Sequence, residues 1–123
     1  ATVFAELLGS GCVTEAAGVL DLRPDGDGVK RAIELAFAEA GVNAADIGAV
    51  IAHGNGTPAS DASEAIGLRA VFGEAPPPVT AFKWALGHTI AAAGILDLVI
   101  AIAALRRGVV PGIPTLRQVD PAL

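Results

Sequence analysis

Ile47-Gly48-Ala49-Val50-Ile51-Ala52-His53-Gly54-Asn55-Gly56-Thr57-Pro58 is the stretch on which the fold turns. A short apolar run bounded by turn residues is the pattern of a strand covered on both faces, as strands of a parallel sheet are. It runs straight into a polar, glycine-rich turn. A helix is expected beyond that turn, opened by the capping sequence Asp61-Ala62-Ser63-Glu64 and closed at Gly73. The same grammar then repeats. Pro76 to Pro78 break the chain, and Val79 to Phe82 form a second buried strand that delivers Lys83. Trp84 to His88 then lead into a long apolar helix that ends at Arg106-Arg107-Gly108, with basic charge where the helix dipole favours it.

Upstream, Val29, Ala32, Ile33, Ala36, Phe37 and Ala40 make the stripe of an amphipathic helix, with Asp27 placed to cap it and Gly41 to end it. Ala16 to Gly28 reads as a loop. Thr2 to Cys12, rich in Val, Phe and Leu, suits a further strand with a bend at Gly9-Ser10-Gly11. Val109 to Ile113 suits a last strand at a sheet edge, since Pro111 cannot donate to a ladder. Strand, helix, strand, helix, strand, helix, strand is an α/β order. It predicts a mainly parallel, mixed sheet with helices on its faces, joined by right-handed crossovers.

The 123 residues suit one domain, but 53% are hydrophobic and only 17% charged, with mean hydropathy +0.60. That is high for a domain that covers its own core, so another body is expected to bury part of it. With no Met and an Ala at position 1, the chain reads as a piece of a longer protein. A net charge of −5 and no run of Lys or Arg longer than a pair argue against a nucleic-acid groove. Arg23, Arg69, Arg106 and Arg107 read as solvated surface residues. A single Cys cannot close an intrachain disulfide, so a reducing, cytoplasmic setting is expected. Ile90 to Leu105 falls short of the roughly 20 residues that span a bilayer, and Asp97 there would cost about 2.5–3.5 kcal/mol in lipid. No membrane role is expected.

In an open α/β sheet, ligands collect at the carboxyl ends of the strands. One strand here ends in His53 and the next in Lys83, with His88 five residues on, so both histidines of the chain belong at one sheet edge. An imidazole beside the N-terminus of a buried helix loses water and feels the positive end of the dipole, so His88 is expected to be neutral. Such a ring donates one N–H in a dry site and suits an enolate or thioester oxyanion. The alternative is that it merely caps the helix. Asp97, among Leu96, Leu98, Val99 and Ile100, needs a partner, as does Lys83; they serve one another or find a third group. Asp61 is a second candidate partner for Lys83, or a simple cap. Cys12 reads as a buried structural thiol. Cys12, His53 and His88 match no metal-ligand spacing, so no metal is expected. Gly54-Asn55-Gly56-Thr57-Pro58-Ala59 also satisfies the dinucleotide fingerprint, with Lys83 as a possible contact to the extra phosphate of NADP. That dehydrogenase module is the less favoured alternative.

Ala52-His53-Gly54-Asn55-Gly56-Thr57-Pro58-Ala59-Ser60-Asp61 and Lys83-Trp84-Ala85-Leu86-Gly87-His88-Thr89-Ile90-Ala91-Ala92-Ala93-Gly94 closely resemble the two histidine motifs of β-ketoacyl-acyl-carrier-protein synthases. These are condensing enzymes of fatty acid and polyketide synthesis, on the thiolase fold. Phe4 to Gly9, Ile113 to Leu116 and Asp120-Pro121 also look like that family. The resemblance implies a C-terminal domain over residues 1–123 and a thiolase-like half. It implies that His53 and His88 hold the malonyl thioester and its enolate, with Lys83 as the family's lysine, Asp61 as its carboxylate partner and Asp97 in support. Asn55 and Thr57 would contact the substrate arm; Asn55 stands where Thr is usual and Asp97 where Glu is usual. Two histidines, where acyl-CoA-primed starter synthases carry His and Asn, point to the elongating class. The implied partner is acyl carrier protein, with substrates on its phosphopantetheine and no further cofactor. The nucleophilic cysteine is expected upstream of Ala1 and a glycine-rich segment downstream of Leu123. This chain alone is therefore expected to be inactive, and the whole protein a homodimer or ketosynthase heterodimer. A relative that has lost its cysteine and serves as a partner subunit setting chain length is a further alternative.

Overall fold

The structure, a computed structural model, describes residues 1–18 and 21–120. Residues 19 and 20 of the expected loop, and Pro121 of the closing motif, lie outside the described residues. Helix α1 (Asp27–Ala40) follows the apolar stripe, and Gly41 closes it at φ 69, donating its N–H to the Phe37 carbonyl. Its cap differs from expectation. Gly26 holds the N-cap position, and the Asp25 carboxylate, not Asp27, accepts the Asp27 N–H at 3.1 Å. A 3-10 turn over Ala44–Asp46, closed by a capping box between Asn43 and Asp46, feeds strand β1 (Val50–Ile51).

Helix α2 (Pro58–Phe72) starts three residues before the expected cap, with Thr57 at the N-cap position and Pro58 in the first turn, where its missing N–H costs nothing. Asp61 lies inside that first turn. Strand β2 (Val79–Thr80) runs parallel to β1, pairing Val50 with Val79 and Ile51 with Thr80. Val50 N donates to Pro78 O at 2.9 Å and Ala52 N to Thr80 O at 2.7 Å. Helix α2 is thus the crossover between two parallel strands. It packs on α1 through Phe37 and Phe72, whose rings meet edge to face at 6.1 Å. Gly67 permits the approach, since a Cβ there would sit 2.7 Å from Val29 Cβ.

Two of the four expected strands do not form among the described residues. From Thr2 to Cys12 the chain makes no ladder but lies on α1. A Cβ on Gly9 or Gly11 would meet the backbone of Ala36 or Ala32 at 2.4 Å or less, and Ser10 N donates to the Glu39 carboxylate at 2.7 Å. A backbone N–H spent on a side chain is lost to a sheet. From Val109 to Ile113 the chain passes β2 without pairing; the link is the Thr80 hydroxyl, which donates to Pro111 O at 2.6 Å. The remaining helices are short α3 (Lys83–Leu86) and α4 (Ala93–Arg107), with a 3-10 turn over Ile90–Ala92 between them.

The buried apolar residues, Ala52, Leu68, Ala81, Phe82 and Ala93, cluster where the strands end. Much of α4 has no cover: Ile95 is 64% exposed, Val99 58% and Leu105 75%. No helix among the described residues is long and apolar enough to cross a membrane.

Candidate active site

Strand β1 delivers its chain through buried Ala52 into the turn that carries His53. Two features fix that turn. The Glu64 carboxylate, on α2, accepts the N–H of His53 at 2.7 Å and that of Gly54 at 3.0 Å. Gly54 adopts φ 46, and a Cβ there would lie 2.6 Å from Ala81 Cβ, so only glycine lets the turn rest against the end of β2. The motif reading assigned Glu64 to a helix cap. Its distance from the helix start, six residues beyond Pro58, is the signal that it serves something else.

Strand β2 continues through buried Ala81 and Phe82 to Lys83, which opens α3 with its side chain only 6% exposed. Its ammonium lies 3.2 Å from Asp97 Oδ2, on the second turn of α4. The shorter arm of Asp97 therefore reaches Lys83 directly. Asp61 does not supply the partner: Lys83 is bonded to Asp97, and the buried Asp61 Oδ1 has no hydrogen-bond partner among the described residues.

Gly87, in the left-handed half of backbone space at φ 72, ends α3 and leads to His88. The His88 ring meets that of His53 edge to face, centroids 5.0 Å apart. Its Nδ1 accepts the Ile90 N–H at 3.1 Å, so the neutral ring carries its proton on Nε2. Ile90 makes this bond from φ 53, a left-handed conformation that costs a β-branched residue on the order of 1–3 kcal/mol. Both histidines are exposed in this chain, so the dry site expected for His88 is not formed by the described residues themselves. His53 is nonetheless held below the ordinary imidazole pKa. Partial loss of water is the largest cause, followed by the Lys83 charge, with Glu64 opposing. The site thus holds a neutral His53, a His88 whose neutral tautomer donates from Nε2, and a fixed cation behind them.

Asn55 Oδ1 accepts the Thr57 N–H at 2.8 Å, a local turn that leaves the amide NH2 as the side chain's remaining donor. Thr57 is exposed, and its hydroxyl does not cap α2. Cys12 is exposed, contrary to the buried thiol expected, because its segment lies over α1 instead of entering a sheet. Lys83, buried and paired, is already engaged, which removes the phosphate contact on which the NADP reading depended.

A parallel β-α-β crossover with two histidines converging at the strand ends and a buried lysine behind them defines a condensing-enzyme half-site, and the chain belongs to the β-ketoacyl synthase family. The family model for the β-ketoacyl synthase C-terminal domain matches residues 4–117. The chain is 36% identical over 124 residues to 3-oxoacyl-[acyl-carrier-protein] synthase 2 of Vibrio cholerae, covering 98% of this chain and 30% of that protein. Among solved structures, the ishigamide ketosynthase/chain length factor matches at TM-score 0.90 and 38% identity, over 99% of this chain and 30% of the other. A type II polyketide ketosynthase bound to the hexaketide, in complex with its acyl-carrier protein, matches at TM-score 0.91 and 30% identity, with the same coverage. The fold is the α/β, thiolase-like one, and the chain spans about 30% of the length of the curated relative.

Proposed function

We propose that this chain is the part of a 3-oxoacyl-acyl-carrier-protein synthase that holds the malonyl thioester and stabilises the enolate formed when it loses carbon dioxide. The observation that carries this reading is the meeting of the His53 and His88 rings at 5.0 Å in front of the buried Lys83–Asp97 pair. In the step itself, the bond from the malonyl methylene to its carboxylate breaks and carbon dioxide leaves. The electron pair moves into the enolate, whose oxygen gains charge. Neutral imidazole N–H donors aimed at that oxygen are stronger where the charge develops than in the ground state, which is what accelerates the reaction. The Lys83 charge disfavours imidazolium at His53 and adds positive potential; being paired and buried, it organises the field and is not a free base.

The enolate carbon then bonds to the acyl carbon of a cysteine thioester, and the thiolate leaves. Exposed Cys12, on the segment over α1, is not assigned that role. The nucleophile belongs to the remainder of the polypeptide, without which this chain is inactive. Asn55 and Thr57, in the turn between β1 and α2, are the proposed contacts to the phosphopantetheine arm of acyl carrier protein. The exposed apolar face of α4 supports burial against the rest of the synthase, as a homodimer or ketosynthase heterodimer. Both histidines are present, which favours a catalytic subunit over a partner that only sets chain length.

The test is malonyl-carrier decarboxylation by the complete polypeptide carrying His53→Ala or His88→Ala. Each change is expected to lower the rate by more than tenfold. If neither does, less than about 1.4 kcal/mol of transition-state stabilisation resides in these rings, and the assignment fails.

A further inference from the structure

Ile90 is 76% exposed, so side-chain packing does not force it into the left-handed conformation at φ 53. A β-branched residue left to itself returns to the extended region. Something must hold it, and the chain around it is fixed at both ends. Lys83 begins α3 and Asp97 lies on the second turn of α4, and their 3.2 Å ion pair draws the two helices together across Gly87 to Ala92. Within that short connection Ala92 N bonds back to Thr89 O at 3.1 Å. The chain closes the gap by reversing at Ile90, and the reversal aims the Ile90 N–H at His88 Nδ1. No other hydrogen bond to the His88 ring forms among the described residues, so its tautomer and orientation depend on this one contact.

We propose that the Lys83–Asp97 ion pair is a clamp that keeps Ile90 in its left-handed turn, and that through Ile90 it fixes His88 as the Nε2–H donor facing His53. Asp97 and Ile90 are positioning residues: neither touches the substrate in this scheme. The functional meaning of a fixed Nε2–H rests on the condensing-enzyme reading above. The mechanical claim does not, because it concerns only the state of a ring in the unliganded protein.

Glycine adopts φ near +50° without strain, which makes Ile90→Gly a rescue for a broken clamp. The chain has two histidines, so the ring nitrogens of each are resolvable by 15N NMR of histidine-labelled protein. In the unaltered protein, His88 should show protonated Nε2 and bare Nδ1. Asp97→Asn should raise the Nδ1–H tautomer of His88 at least tenfold, and adding Ile90→Gly should restore the original pattern. Should Asp97→Asn not fold, Lys83→Met with Asp97→Leu removes the clamp without a lone buried charge and should behave the same way, again reversed by Ile90→Gly. Asp97→Glu, which keeps the charge, should leave the pattern intact. An unchanged His88 in the unclamped variants, or failure of Ile90→Gly to restore it, overturns the proposal. Malonyl decarboxylation measured in parallel separates the two readings: tautomer shifts without any rate change would sink the enolate role of His88 and leave the clamp standing.

Discussion

The two turns that carry the histidines are built by different means. The His53 turn, between β1 and α2, is held by charge: one carboxylate, Glu64, binds two successive backbone N–H groups, and glycine at 54 lets the turn lie against Ala81. The His88 turn, between α3 and α4, has no such brace. A single N–H fixes its ring, presented by a residue in an unfavourable backbone region, and the nearest strong interaction is the Lys83–Asp97 pair at its base. A braced turn tolerates the loss of distant contacts. A clamped one does not, because its geometry is stored in the elements that flank it.

Breaking the clamp should therefore have the larger consequence. Asp97→Ala leaves the Lys83 ammonium buried without its partner, and removal of one member of such a pair costs about 3–5 kcal/mol. Chemical denaturation should read a loss of that size; a loss below about 1 kcal/mol would mean that water already replaces Asp97. Breaking the brace should be milder. Glu64→Ala deprives two N–H groups of a charged acceptor, one of them at an exposed position, for a loss of about 1.5–3 kcal/mol. The effect should be local, with faster amide exchange at His53 and Gly54 and little change near His88. Equal disturbance of both turns by Glu64→Ala would show that they are one unit and not two.

The contrast also explains what could be read in advance. The His53 turn is legible because its determinants are adjacent in sequence: an apolar run, glycines and a proline that must open a helix. Its convergence with Lys83 and His88 follows from strand order alone. The partner of Lys83 was narrowed to Asp61 or Asp97, and the choice between them depends on how α4 lies against α3, which no local pattern encodes. Glu64 was seen as a cap because a capping sequence and a loop brace use the same residue types. The strands expected at Thr2 to Cys12 and Val109 to Ile113 have suitable composition, but a strand exists only where a ladder partner does. Glycine at 9 and 11 instead admits the backbone of α1, and Pro111 meets a threonine hydroxyl. The left-handed Ile90 carries no sequence signal at all, since isoleucine is among the residues least suited to it.

The smallest effect, and the one that places the two turns on a single scale, is their response to acid. The His53 pKa lies below the ordinary imidazole value, from loss of water first and the Lys83 charge second. The folded chain thus binds a proton at His53 less readily than the unfolded chain does. Above the ordinary value, near 6.5, both states are neutral and this stabilising contribution is complete; as pH falls toward and through the lower folded pKa, the unfolded state takes up protons first and stability declines. Stability should therefore show a shallow fall below about pH 6.5 that His53→Gln abolishes. Lys83→Met with Asp97→Leu removes the Lys83 charge together with that of Asp97, which opposes it more weakly, so the NMR titration of His53 should move toward the ordinary value. Persistence of the full depression in that variant would assign it to loss of water alone and remove Lys83 from the electrostatics of the His53 turn.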